Sequence, residues 1–360
     1  MVRIMAIKYL SGKRLQGTAA ERTALNITSP PATSWKELAR ASLSGAGDTI
    51  TTSTFTPKDN MKVLTFGLAS GNIEASLQVG NGSIDTGSNY SVRWQVNGTE
   101  GTGTSKTSID TNHTATGNEF ITYDILNVAN QEKLVIADLV DSNSAGAGNV
   151  PNRVEHVGKW ANTSNQINIV QAKNVGGGSF DTGSEIVVLG YDNDEADSGT
   201  NFWQELGSTE LTGAGDDVTV SFTAKKYLMV EAYMVGGSGN NFRNAWKLNG
   251  VSSGSTYAYR KSSNGGSDNT YTSRNLLEIG DQDQEHDSYQ KLFIVNKDGK
   301  EKLGIMHAVR EENDSTSDPS RTEAAFKWTT TSGQITSITA HNDQTGNFGI
   351  GSYVKVWGSD

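Results

Sequence analysis

Along much of the chain, apolar and polar residues alternate in short runs. Leu228, Val230, Ala232 and Met234 alternate around Glu231; Val354-Lys-Val356-Trp-Gly358 and Ile186-Val-Val188-Leu-Gly190 follow similar patterns. A period of two is that of a strand with one face packed inward and the other meeting water or a partner. Between such runs stand Asn81-Gly82, Asn97-Gly98, Asn249-Gly250, Asn264-Gly265 and Asp298-Gly299. Asn-Gly and Asp-Gly pairs accept the positive φ angles of tight hairpins. The pattern predicts an all-β chain.

The runs also repeat. Leu43-Ser-Gly-Ala-Gly-Asp-Thr-Ile50 returns as Leu211-Thr-Gly-Ala-Gly-Asp-Asp-Val218, and Trp35-Lys-Glu-Leu38 returns as Trp203-Gln-Glu-Leu206. Tyr90 and Arg93 match Tyr257 and Arg260, Glu132-Lys-Leu134 matches Glu301-Lys-Leu303, and Lys159-Trp160 matches Lys327-Trp328. The matches keep one order at offsets of 167 to 169, which marks a tandem duplication. Each copy is long enough to be a domain. With roughly eight strands per copy, two antiparallel sheets packed face to face are the natural solution. The expected architecture is two tandem jelly-roll-like β-sandwiches, at 34–192 and 202–360. An arm at 1–33 precedes them, and an acidic linker at 193–201 joins them.

Charge divides the chain in the same places. Residues 1–40 hold seven Lys or Arg against two Glu, a net +5, which leaves −15 on the other 320 residues. An acidic body repels nucleic acid, so no nucleic-acid partner is expected. Nowhere do about 18 apolar residues run together, so neither is a membrane span. The N-terminus holds no run suited to a signal-peptide core, and there is no cysteine. The basic arm, through Lys8, Lys13, Arg14 and Arg22, suits docking on an acidic protein surface. Within it Thr18-Ala-Ala-Glu21 is a capping-box pattern that can open a short helix.

Candidate chemistry is sparse. Gly250-Val-Ser252-Ser-Gly254 fits the spacing of a nucleophile elbow but sits in a Gly/Ser-rich loop with no helix pattern after it. Asp281, Asp283 and Glu285 place oxygens on alternate residues as a weak calcium site would, without the Gly and the distal Glu of a calcium loop. No other cofactor is expected. The five histidines show no zinc-like spacing, and no carboxylate pair stands out among the 40 acidic residues. Trp35/Trp203 and Trp160/Trp328 recur in both copies and read as packing residues. Trp94, Trp246 and Trp357 have no Trp counterpart, so they are the candidates for stacking on a glycan or anchoring a partner, against the plainer reading that they cover their own sheets.

One stretch carries a resemblance. Ala6-Ile-Lys-Tyr-Leu-Ser-Gly-Lys-Arg-Leu-Gln-Gly17, followed by Thr18-Ala-Ala-Glu-Arg22, resembles the start of virion structural proteins of environmental, especially marine, tailed phages and related archaeal viruses. In that group a short shared segment precedes varied β-rich modules. The resemblance implies a non-enzymatic particle-surface protein in a tail, fibre or capsid-decoration role. Such a protein is attached by its arm, assembled in the host cytoplasm and carried outside on the virion. Its expected partners are other virion proteins, further copies of itself and host receptors. Two readings from other classes stay open: a tandem carbohydrate-binding or adhesion protein for a host-surface glycan, and a polysaccharide-degrading enzyme.

Overall fold

A computed structural model describes residues 35–192, 201–236, 242–278, 286–311 and 318–360. The arm at 1–33 and all but the last residue of the linker lie outside the described residues. Every regular element described is a strand. The first copy opens with β1 (Lys36–Ser42), β2 (Thr49–Thr51), β3 (Asn60–Gly67), β4 (Ala69–Ser70) and β5 (Ala75–Asn81). It continues with β6 (Ser83–Ile84), β7 (Tyr90–Val96), β8 (Thr99–Lys106), β9 (Ile109–Asp110) and β10 (Glu119–Leu126). It ends with β11 (Lys133–Asp141), β12 (Asn152–Trp160), β13 (Ile169–Asn174), β14 (Ser179–Phe180) and β15 (Glu185–Tyr191). The second copy comprises β16 (Gln204–Glu210), β17 (Asp217–Ser221), β18 (Tyr227–Met234), β19 (Asn244–Leu248), β20 (Tyr257–Ser263) and β21 (Asn269–Arg274). Then come β22 (Ser288–Val295), β23 (Lys302–Arg310), β24 (Ser320–Trp328), β25 (Ser337–Asn342) and β26 (Tyr353–Ser359).

Each copy builds one large and one smaller antiparallel sheet, and in the first copy β4 and β14 pair as a separate two-stranded sheet. The large sheets run β1-β15-β3-β10-β11-β12-β7-β8 and β16-β26-β18-β22-β23-β24-β20-β21. The smaller ones are β2-β13-β5-β6, with β9 on β5, and β17-β25-β19. The pairings nest: β1 with β15, β2 with β13, β3 with β10 and β5 with β9. Nesting of this kind is a folded ribbon rolled so that successive pairs alternate between sheets, the logic of a jelly roll. The β11–β12 hairpin lies between β10 and β7 and widens the large sheet. At the hairpin tips, Asn97-Gly98 and Asn264-Gly265 hold φ of 51° and 89°, and 52° and 71°, so both residues of each pair adopt the left-handed region.

Period two does the packing. Val135, Ala137 and Leu139 point from β11 into the first core, against Leu77, Val79, Val170 and Ala172 of the smaller sheet. The second core is built the same way around Val230, Leu292, Met306, Ile338 and Ala340. The duplication extends to the polar interior. Asn127, fully buried, donates through Nδ2 to the carbonyls of Lys58 (3.0 Å) and Ile167 (3.1 Å) and accepts from the Ile167 amide (2.7 Å). Asn296 makes the same three bonds with Lys225 and Ile335, at 3.0, 3.1 and 2.7 Å. Even the edge-strand bulge recurs, between Glu37 and Ala39 and between Glu205 and Gly207.

Candidate functional site

Part of the outer face of each large sheet, which a lone sandwich would turn to water, is packed against the other copy. On β11, Leu134, Ile136, Asp138 and Val140 alternate outward; on β23, Leu303, Ile305, His307 and Val309 do so. A third apolar cluster forms from both copies: Leu64, Phe66, Phe120, Val140, Val187 and Leu189 from the first, Tyr227, Val295, Leu303, Ile305 and Ala325 from the second. Phe202 and Trp203, at the entry to the second copy, join it, with Trp35 half-buried alongside. The described protein is therefore four sheets deep, with this seam as its middle layer.

Polar groups line the seam in a fixed arrangement. Arg153, 5% exposed, donates to Asp268 at 2.6 Å, itself 2% exposed at its side chain. It also pairs with Glu155 and lies 3.8 Å from Glu323. Glu185 accepts the Tyr227 hydroxyl at 2.9 Å and pairs with Lys226 and Arg40, each at 2.8 Å. Lys327, with no side-chain exposure, donates to the carbonyls of Ser142 (2.8 Å) and Ser144 (2.7 Å), while the Gly146 amide donates to Glu301 at 2.6 Å. Asp138 and His307, equivalent positions of the two copies, meet at 3.2 Å. The two copies thus carry opposite partners at one equivalent position, which a protonated His307 makes an ion pair.

Two of these groups, Glu155 and His307, hold a proton more tightly in the folded protein than in the unfolded chain. Burial, with Glu323 and Asp138 nearby, pushes Glu155 up to about 7 in spite of Arg153 and His307. Burial lowers the His307 pKa, but the bond to Asp138 and the fields of Asp138, Glu155 and Glu323 outweigh it and raise the value. A folded-state pKa above the unfolded value means that the folded state binds more protons between the two values. Stability from both groups is thus complete at low pH and is lost as pH rises through each folded-state value, which for Glu155 is about 7. We expect amides of β11 and β23 to exchange hydrogen faster at pH 8.5 than at pH 6, beyond the intrinsic pH effect. His307→Gln removes part of that slope, and an unchanged slope in this variant would contradict the assignment.

The residues singled out in the sequence fall in different places. Trp246 is not a surface residue: it lies fully buried on β19 and donates its indole N–H to Gln290 at 3.0 Å, so neither ring face is open to a sugar. Trp357 is half-buried against the seam cluster. Trp94 is half-buried against the first core, and its ring lies over Gly101 so closely that a Cβ there would sit 2.5 Å from the indole. Of the paired tryptophans, Trp160 and Trp328 are core residues, whereas Trp203 and Trp35 pack in the seam. Ser252 follows the Asn249-Gly250 turn in an irregular loop that leads into strand β20, with no helix behind it. Asp281, Asp283 and Glu285, and the arm residues Lys8, Lys13, Arg14 and Arg22, lie outside the described residues. Among the described residues no group of three or more His, Asp or Glu is placed to hold a metal. Nor is any described helix long and apolar enough to cross a membrane.

The seam also contains a small recess lined by Asp138, Arg153, Glu155, His307, Glu323 and neighbouring aliphatic residues, with room for about one water molecule. The charged residues of the seam were not legible as a set, because nothing in sequence spacing connects Arg153 with Asp268. The one available signal was that β11 is apolar on both faces.

No known protein family matches the chain, and no curated protein does. Among solved structures, human GIVD cytosolic phospholipase A2 is similar at 6% identity over 76% of this chain and 33% of its own, with a TM-score of 0.12. An outer membrane channel from Pseudomonas putida is similar at 11% identity over 76% of this chain and 97% of its own, also with a TM-score of 0.12. Overlap at that level defines no shared fold.

Proposed function

We propose that this chain is a non-enzymatic structural protein of a virion surface, in a tail, fibre or decoration role, held to the particle by its basic N-terminal arm. The observation that carries this reading is the use of the sheet faces. Half of the broad outer face of each sandwich is given over to contact between the two copies, and the tryptophans singled out as a glycan platform are buried or half-buried. A sugar-binding or hydrolytic sandwich needs an open, aromatic-lined face or cleft. The resemblance of Ala6–Arg22 to virion proteins supplies the setting, and the acidic, polar body suits a protein displayed in many copies without aggregating.

The reading predicts that peptides of this chain are found by mass spectrometry in purified particles at a stoichiometry well above trace. It predicts further that neutralising Lys8, Lys13, Arg14 and Arg22 together lowers incorporation at least tenfold while leaving the folded body intact by circular dichroism. Particles free of the chain would overturn the proposal. Incorporation indifferent to the four substitutions would overturn the role of the arm.

A further inference from the structure

The seam uses different halves of two equivalent sheets. The second copy contributes Val295, Leu303, Ile305 and Ala325, which are 0%, 0%, 5% and 0% exposed. Their counterparts in the first copy are Leu126, Leu134, Ile136 and Val157, of which Ala325's counterpart, Val157, is 47% exposed and the others 47%, 51% and 61% in that order. The converse holds for the other half. Phe120 and Val140 of the first copy are 1% and 0% exposed, while their counterparts Tyr289 and Val309 are 38% and 45% exposed. These six account for most of the eight large apolar residues left open among the described residues; Val175 and Ile350 are the others.

Single exposed apolar residues are ordinary, but contiguous ones mark a contact. Here they are contiguous. Leu126 is paired with Leu134 and Ile136 with Val157 across neighbouring strands, which makes one strip. Tyr289 is paired with Val309, which makes a second patch. The polar flank is duplicated as well. Glu132 and Lys159 beside the open strip are the counterparts of Glu301 and Lys327, the residues that grip the Ser142–Gly146 backbone in the seam. In the open copy they are 39% and 41% exposed and bound only to each other, at 2.9 Å, among the contacts described.

We propose that the occupant of these surfaces is a second copy of this chain, docked head to tail. The Leu126–Leu134–Ile136–Val157 strip of one molecule takes the Tyr289–Val309 patch of the next. The contact between molecules thereby reproduces the one between the two copies within a molecule. Since each side presents a different surface, the contact is heterologous and propagates into a chain or closes into a ring. The patch is more polar than the half it echoes, with Glu231 and Lys355 where the first copy has Leu64 and Val187. Association is therefore weaker than the seam and depends on concentration.

Sedimentation of the purified full chain across a concentration series tests this. The wild type forms species at multiples of the one-chain mass. Ile136→Glu and Val309→Glu each reduce it to the single chain with an unchanged melting temperature, since both sites are open to water, and Val175→Glu has no effect. Mixing the two variants restores one intact strip and one intact patch, so a two-chain species returns and nothing larger. A wild type that stays a single chain throughout would overturn the proposal. So would a Val309→Glu variant that still associates, which would mean that the strip pairs with itself. Because the readout is on purified protein, it is independent of whether the chain resides on a particle.

Discussion

Asn127→Ala lowers the stability of the first sandwich by about 3–5 kcal/mol, and Asn296→Ala lowers that of the second by a similar amount. Each asparagine is fully buried and closes three hydrogen bonds to backbone groups of two different loops. Alanine leaves two carbonyls and one amide without partners in a place water does not reach, and each such group costs about 1–3 kcal/mol. Aspartate is no remedy, because it keeps the acceptor, loses both donors and buries a charge. Urea unfolding measured for both variants decides the matter. Losses below about 1 kcal/mol, or a large difference between the two sites, would contradict the claim that the same polar bracket stabilises both copies.

That bracket shows how far the sequence could be read. The repeated phrases at offsets of 167 to 169 were enough for the duplication, and alternation with Asn-Gly turns was enough for antiparallel sheets. Asn127 and Asn296 sit at matching positions too, but a polar residue at a strand end reads as a turn until the loops it ties together are seen. Trp246 is a related case. Without a Trp counterpart it is a candidate for stacking or anchoring as well as for covering its own sheet, and it occupies the position of Leu77, a core residue of the first copy. The larger ring brings an indole N–H into the core, and Gln290, where the first copy has Ile121, supplies the acceptor. A glutamine inside an apolar alternation was the signal. The seam was legible only in part: strands apolar on both faces predict a covering partner, but not that the partner is the sister copy. Docking of that kind depends on shape across two separately folded sheets, which no local period encodes.

Arg153→Met tests whether the seam joins the two sandwiches energetically. The guanidinium is 5% exposed and its partner Asp268 is 2% exposed, so methionine keeps most of the side-chain volume while leaving a buried carboxylate with Arg260 no nearer than 3.8 Å. Removing one member of a buried pair costs about 3–5 kcal/mol, whereas replacing both with apolar groups is often close to neutral. Arg153→Met should therefore separate the melting of the two sandwiches into two calorimetric transitions, and Arg153→Met/Asp268→Leu should bring them back together. Glu155 and Glu323 lose their shared cation in the single variant, so its loss should be greater at pH 8 than at pH 6, where Glu155 takes up a proton. The coupling energy from the cycle separates two roles for Arg153. Strong coupling means that the ion pair positions one copy on the other and the apolar cluster supplies the adhesion. Additive losses would mean that Arg153 acts through packing alone, and the cluster around Phe66, Phe120 and Ile305 would then hold the seam without electrostatic guidance.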